Sequence, residues 1–284
     1  MTYPLFLAAG CPATPQAVHT AADQLQQPAG HTIELGGPEG YHAVTVKRIT
    51  VGEIITISNG CGVAADCEVT AISGKDHLTA TIVRTIDDPG RISAPSVTVV
   101  QGLPKNDRLD ATLENLTQFG VATVIPWQAS RSIVKWKGAK ADKAAAKWQA
   151  ICQEAAKQSR RLFVPQVAEL HTTHTLAAHI AAFTAAGGKA YILHENAAAS
   201  LSDQLRHDLP PASTTGDPST TDHQIPHTPG VLCVVGPEGG ISDKEVDELK
   251  QAGAQPVLLG AEVLRTATAG AAALAVINVH QGRW

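Results

Sequence analysis

The 284-residue chain is long enough for two modest domains with separate cores, and its 44% hydrophobic and 17% charged residues fit a globular protein, excluding a disordered or membrane-spanning one. No apolar run approaches the roughly 18 residues of a membrane span, and MTYPLFLAAGCPATP has no basic residue ahead of its short apolar run. The expected compartment is therefore the cytoplasm, with the five scattered cysteines (Cys11, Cys61, Cys67, Cys152, Cys233) as reduced thiols.

In chain order, IITIS, DCEVTAI and LTATIVRTI are short β-rich runs separated by Asn59-Gly60 and by Ser73 to Asp76, the punctuation of a small antiparallel barrel or sheet. DDPGRISAPS, Asp87 to Ser96, breaks the pattern and marks a boundary between domains at 1–88 and 95–284. Beyond it the rhythm becomes strand then helix, as in a mostly parallel sheet covered by helices. Strands are expected in VTVVQGL, VATVIP, KAYILH, VLCVVG and PVLLG. Leu109, Leu113 and Leu116 share one face of a helix; Trp148, Ile151, Cys152, Ala155 and Ala156 form the apolar stripe of another, whose remaining faces carry Lys143, Lys147, Lys157, Arg160 and Arg161. Residues 210–230, rich in Pro, Ser and Thr, read as a mobile surface loop.

The net charge of −4 is segregated: residues 1–90 carry 4 basic and 9 acidic side chains, 91–170 carry 12 and 6, and 171–284 carry 6 and 11. A basic middle suits a local contact with a polyanion or a lysine-rich solvated helix.

CVVGPEGGIS places a glycine-rich turn between a buried strand and a helix opened by the capping box Ser242/Glu245, where open α/β sheets put ligands. It matches neither phosphate-binding fingerprint, and Glu238 would repel a phosphate, so a nucleoside without phosphates fits better. PVLLG is a second strand ending in glycine, and Arg265 sits just before a helix starting at about Thr266 to Thr268. That helix is rich in alanine and contains Gly270, which allows close packing inside the domain, against a ligand loop or against a second subunit.

VVGPEGGIS, PVLLG, VLRTATA, LPKNDRLDATLENLTQFGVATVIPWQASRSIVKW and KWQAICQEAAKQSRRLFVPQV together resemble the bacterial 16S ribosomal RNA uridine-N3-methyltransferases of the SPOUT superfamily. GPEGYHAVTVKRITVGEIITISNG resembles the PUA-like barrel of the same family, so the likeness covers nearly the whole chain. It implies a trefoil-knotted, mostly parallel α/β sheet, which periodicity alone would render as a doubly wound sheet, behind an N-terminal RNA-binding barrel. It implies S-adenosylmethionine as cofactor, held by Leu193, His194 and Glu195, by Gly236, Pro237, Glu238, Gly239 and Gly240, and by Leu258, Leu259, Gly260 and Leu264. It further implies a homodimer, methylation of N3 of a uridine in the decoding region of 16S rRNA, and no metal.

Arg265, in the family's L-R-T motif, is the expected catalytic residue, stabilising the deprotonated uracil or holding its carbonyl oxygens; the alternative is an ion pair with Glu262. Ala267 stands where many members have glutamate, so no carboxylate there can be a required base, and Leu162 departs from a G-R-N stretch in which only Arg161 carries over. Water and Glu238 stay open as the proton acceptor. RNA contacts are expected from Lys105, Arg108, Arg131, Lys135 and Arg161, with Lys47 and Arg48 on the barrel, and Arg160 as a possible addition. His171, His174 and His179 lack metal-site spacing and read as exposed imidazoles at a helix start. The rival readings are a non-catalytic ribosome-binding factor with the same fold and a methyltransferase for another RNA position.

Overall fold

The computed structural model describes residues 3–8, 15–87, 96–209 and 230–284. The loop expected at 210–230 lies, apart from Gly230, outside the described residues, as does the stretch between Asp87 and Ser96. The chain divides into two units: residues 1–92 with 153–164, and residues 93–152 with 165–284. A contiguous division at 88 to 95 does not foresee that residues 153–164 belong with the first unit.

In the first unit, β1 (Leu5–Leu7), β2 (Thr32–Leu35), β3 (Ile54–Ser58), β4 (Val63–Ser73) and β5 (His77–Asp87) form one sheet in the order β1-β3-β4-β5-β2. Its ladders are antiparallel except for β1 beside β3, which runs parallel. Register shifts at Asp66/Cys67 and Val69/Ala71 let β4 curl, as bulges do in small barrels. Phe6, Leu25, Ile33, Leu35, Ile57 and Ile82 fill the core, Leu25 coming from α1 (Pro15–Leu25). Between β2 and β3, α2 (Gly37–Tyr41) runs into a π-helical turn, His42–Val46. Burial, helped by the charge of Asp66, pushes the Cys67 thiol up to about 12, which leaves it protonated and inert.

Lys157 is not on a solvated face. Its ammonium is buried, 2.7 Å from Glu39 Oε1 and 2.6 Å from Glu154 Oε1, while Glu39 Oε2 accepts the Leu7 N–H at 3.1 Å. Burial works to lower its pKa, but hydrogen bonds and charge from Glu154 and Glu39 outweigh that and raise it.

The second unit contains β6 (Val97–Gly102), α3 (Asn106–Gln118), β7 (Thr123–Gln128), α4 (Ala139–Gln158, whose last six residues belong to the first unit), β8 (Gln166–Val167), β9 (His171–Thr172), α5 (Thr173–Ala185), β10 (Lys189–Leu193), α6 (Leu201–Asp208), β11 (Val231–Val235), α7 (Asp243–Gln251), β12 (Gln255–Val257) and α8 (Thr266–His280). Every ladder in its sheet is parallel, in the order β12-β10-β11-β6-β7-β8, with β9 also on β7. Alternation along β6 sends Val97 and Val99 to one side, with Leu113, Trp148, Leu205 and Leu274, and Val100 to the other, with Leu176, Ile180 and Leu249. Helices therefore cover both faces.

β12 follows β11 in sequence yet lies outside β10. Leu258 N–H donates to Ala199 O at 2.8 Å, Leu201 N–H donates to Leu258 O at 2.8 Å, and Thr266 Oγ1 donates to Gly236 O at 3.0 Å. The segment 258–266 is thus held between the loops following β10 and β11 before the chain returns as α8 against α3, β6 and β11. This order, with the last strand outside β10, is not that of a doubly wound sheet and agrees with the SPOUT-type sheet that the resemblance implies. At Gly270 a Cβ would lie 2.6 Å from Leu116 Cδ2, so the close packing at this glycine is internal, between α8 and α3.

Candidate cofactor and RNA site

Three neighbouring parallel strands, β12, β10 and β11, end on one side of the sheet, and the loops after them enclose a cavity of about 690 Å³. It brings together Leu193, His194 and Glu195; Gly236, Pro237, Glu238, Gly239 and Gly240; and Leu258, Leu259, Gly260, Leu264 and Arg265. Arg108 and Arg131 line it too, so three arginines face three carboxylates, those of Glu195, Glu238 and Glu262. Such a balanced wall suits a ligand carrying both signs of charge better than a polyphosphate.

The glycines differ in what demands them. A Cβ on Gly239 would lie 2.9 Å from both Cβ and O of Arg131, so the protein itself requires that glycine. At Gly260 φ is not positive, and a Cβ would meet nothing nearer than Glu262 Oε2 at 3.8 Å. The room beside Gly260 is room in the cavity, the space that a ligand close to main chain would use.

Glu245 stiffens the wall from behind. Its buried carboxylate accepts from Ser130 N–H at 2.8 Å, Ser130 Oγ at 2.7 Å, Thr173 Oγ1 at 2.9 Å, Ser242 Oγ at 2.7 Å and Ser242 N–H at 3.1 Å. Burial works to raise its pKa, but these bonds from Ser130 and Ser242 prevail and hold it at about 2. Next to Ser130, the Arg131 guanidinium donates to Gly239 O at 3.4 Å and Ile241 O at 3.5 Å, bracing the glycine loop.

Arg265 caps α8 through its carbonyl, which accepts from Thr268 N–H and Ala269 N–H, both at 2.9 Å. Its side chain is exposed and, among the described residues, makes no ion pair with Glu262 or any other acid. Asn115 Nδ2 donates to Ala267 O at 3.3 Å, and the Lys105 N–H, at the start of α3, donates to Glu238 Oε1 at 3.0 Å. Lys135 Nζ reaches Ala129 O at 3.1 Å. Lys47, Arg48 and Arg161 belong to the N-terminal unit, not to the cavity. Arg48 and Arg160 have left-handed backbones, with φ of 56° and 55°.

Asn115 and Ala111 on α3 and the loop 261–263 also line the cavity; local pattern assigns them no role there, because only the tertiary return of α8 brings α3 to the site. Glu245 carries a signal, the Ser-x-x-Glu box, but that signal speaks for one of its five bonds, the one from the Ser242 N–H. The His171 and His179 rings lie 5.3 Å apart, and His174 Nδ1 is 3.8 Å from Glu248 Oε1. Among the described residues no group of three or more His, Cys, Asp or Glu could hold a metal, and no helix is long and apolar enough to cross a membrane.

Comparison with known proteins sets this geometry in a family. Residues 92–278 match the RNA methyltransferase domain and residues 35–83 the RNA methyltransferase PUA domain. The chain is 37% identical over 255 residues, 90% of its length and 89% of the relative's, to the ribosomal RNA small subunit methyltransferase E of Mycobacterium bovis. It is 30% identical to the Bacillus subtilis protein of the same name, covering 87% of this chain and 90% of that one. A crystal structure of ribosomal RNA small subunit methyltransferase E from Neisseria gonorrhoeae, bound to S-adenosyl methionine, superposes with a TM-score of 0.74 at 26% identity and covers 98% of both chains. With both of its matched segments in place and a relative aligned along nine-tenths of its length, the chain belongs to the RNA methyltransferase family that pairs this domain with a PUA domain.

Proposed function

We propose that the protein is an S-adenosylmethionine-dependent methyltransferase of small-subunit ribosomal RNA and that its target is N3 of a uridine in the decoding region of 16S rRNA. The observation that carries this reading is the convergence of three strand-end loops and Arg265 on one cavity, in a chain whose relatives are named as small-subunit ribosomal RNA methyltransferases. Residues 95–284 act as the methyltransferase domain and residues 1–88 as an RNA-holding domain, in a cytoplasmic homodimer.

S-adenosylmethionine, when bound, supplies an electrophilic methyl group. Leu193 to Glu195, Gly236 to Gly240, Leu258 to Gly260 and Leu264 would hold it, with Gly260 leaving room beside the main chain and the cavity's carboxylates compatible with a cationic ligand. N3 lies on the pairing edge of uracil, so the base enters unpaired or swung out of its stack. Arg265 holds the uracil oxygens and stabilises the anion formed as the N3 proton leaves, a task suited to a fixed, permanently charged fork. Arg108 and Arg131 at the cavity, Lys105 and Lys135 near it, and Lys47, Arg48 and Arg161 of the N-terminal unit contact phosphates. The N3 proton passes to water or to Glu238.

The test is two-part. Calorimetry measures S-adenosylmethionine binding to the folded protein, and mass spectrometry searches 16S rRNA from a deletion strain for one missing methyluridine, restored by the gene. Absence of binding by folded protein supports the non-catalytic rival; a missing methyl group elsewhere supports a different target.

A further inference from the structure

We propose that Lys140, Lys143 and Lys147 on α4 form a phosphate track that leads the RNA backbone to the cavity; the inference rests on the RNA methyltransferase reading above. Residues 131–147 hold six basic side chains (Arg131, Lys135, Lys137, Lys140, Lys143, Lys147) and a single acidic one, Asp142. Lys140, Lys143 and Lys147 are exposed, and among the described residues none makes an ion pair. Their spacing of three and four places them on one face of the helix, over about 10 Å of axis, a length of about three stacked nucleotide steps. Like charges at these spacings weaken a helix, by about 0.2–0.5 kcal/mol per pair in isolated helices. Among the described residues no acid pairs with them to offset that cost, and a polyanion would.

The track has a direction. Lys147 shares the rim of a shallow depression with Pro104 and Asn106, over Trp136 and Trp148, whose rings meet edge to face at 5.2 Å. Beyond Asn106, the Lys105 N–H binds Glu238 in the cavity wall and Arg108 lines the cavity. A strand lying along Lys140, Lys143 and Lys147 would therefore arrive at the start of α3, beside the expected position of the methyl donor.

The test compares the full-length protein with its K140Q/K143Q/K147Q variant, an arginine version at the same three positions, and a control, K244Q/K250Q, on α7. RNA binding is measured against salt concentration, alongside methylation kinetics and S-adenosylmethionine affinity. For the glutamine variant we expect the slope of log affinity on log salt to fall by about 2 to 3 and KM for RNA to rise tenfold or more, with kcat and cofactor affinity unchanged. The arginine version and the α7 control should behave as the parent. An unchanged slope and KM, or losses equal to those of the α7 control, would overturn the track. A parent protein that binds RNA without methylating it would instead overturn the enzymatic reading, and the slopes would still decide the track.

Discussion

The Thr266 hydroxyl donates a hydrogen bond to the Gly236 carbonyl at 3.0 Å, tying the first residue of α8 to the loop after β11. That bond fixes Arg265, one residue earlier, relative to the glycine loop. Arg265→Ala should lower kcat by about 100- to 1,000-fold with cofactor affinity within about twofold, and Arg265→Lys should recover little, since an ammonium cannot reproduce the fork. Thr266→Val should cost about fivefold in kcat/KM, the worth of one hydrogen bond. A full-rate Arg265→Ala enzyme would remove the guanidinium from the mechanism. Glu238→Gln separates the two proton acceptors: an unchanged rate assigns the proton to water.

Gly260 offers a cleaner probe, because its surroundings inside the protein are open. Gly260→Val should leave the melting temperature within about 2 °C while weakening S-adenosylmethionine binding by tenfold or more, an effect of about 1.4 kcal/mol read by calorimetry. Equal affinity would mean that the cofactor does not approach that turn.

Glu245 links acidity to stability. Its pKa is lowered, so its stabilisation is complete above the ordinary carboxylate value of 4.5 and is lost as pH falls toward about 2. The parent should lose on the order of 3 kcal/mol more across that window than Glu245→Gln, measured by denaturant unfolding at several pH values. At neutral pH, Glu245→Ala should destabilise by about 3 kcal/mol, with the Ser130 and Ser242 donors left unpaired. Parallel stability curves for parent and Glu245→Gln would contradict the bonding described.

Arg160 closes α4 in the left-handed region, with its N–H on Lys157 O at 3.1 Å and the Arg161 N–H on Ala156 O at 2.9 Å. Glycine is the residue this position favours. Arg160→Gly should raise unfolding free energy by about 1 kcal/mol, visible in denaturant melts. A fall in stability would show that the side chain contributes more than its backbone costs.

Much of this was legible from residue order because the signals are local. Alternation and turn residues located β3, β4 and β5, and the apolar runs located β6, β7, β10, β11 and β12. The Ser242/Glu245 box placed the start of α7. What escaped depends on distance along the chain. The short strands β8 and β9 carry only two residues each, too few for a period. By spacing alone Lys157 reads as one more helical surface lysine; its buried ammonium pairs with Glu39, which is 118 residues away. Asn115 reaches the cavity only because α8 folds back beside α3, and the crossing of segment 258–266 came from resemblance, since periodicity carries no information about threading.

The placement of residues 153–164 with the N-terminal unit bears on how this gene can be divided. Leu162 O accepts the Gly62 N–H at 3.1 Å, Val164 N–H donates to Gly60 O at 2.8 Å, and Leu7, Ala156 and Val164 make a small apolar cluster of their own. A fragment ending near residue 92 would therefore be released with Glu39 stripped of its counter-ion and Leu7 uncovered, and no single cut would liberate either half intact. Autonomous expression of the N-terminal unit calls for a graft carrying the later dodecapeptide, and proteolytic nicking near residue 92 should yield pieces that stay associated.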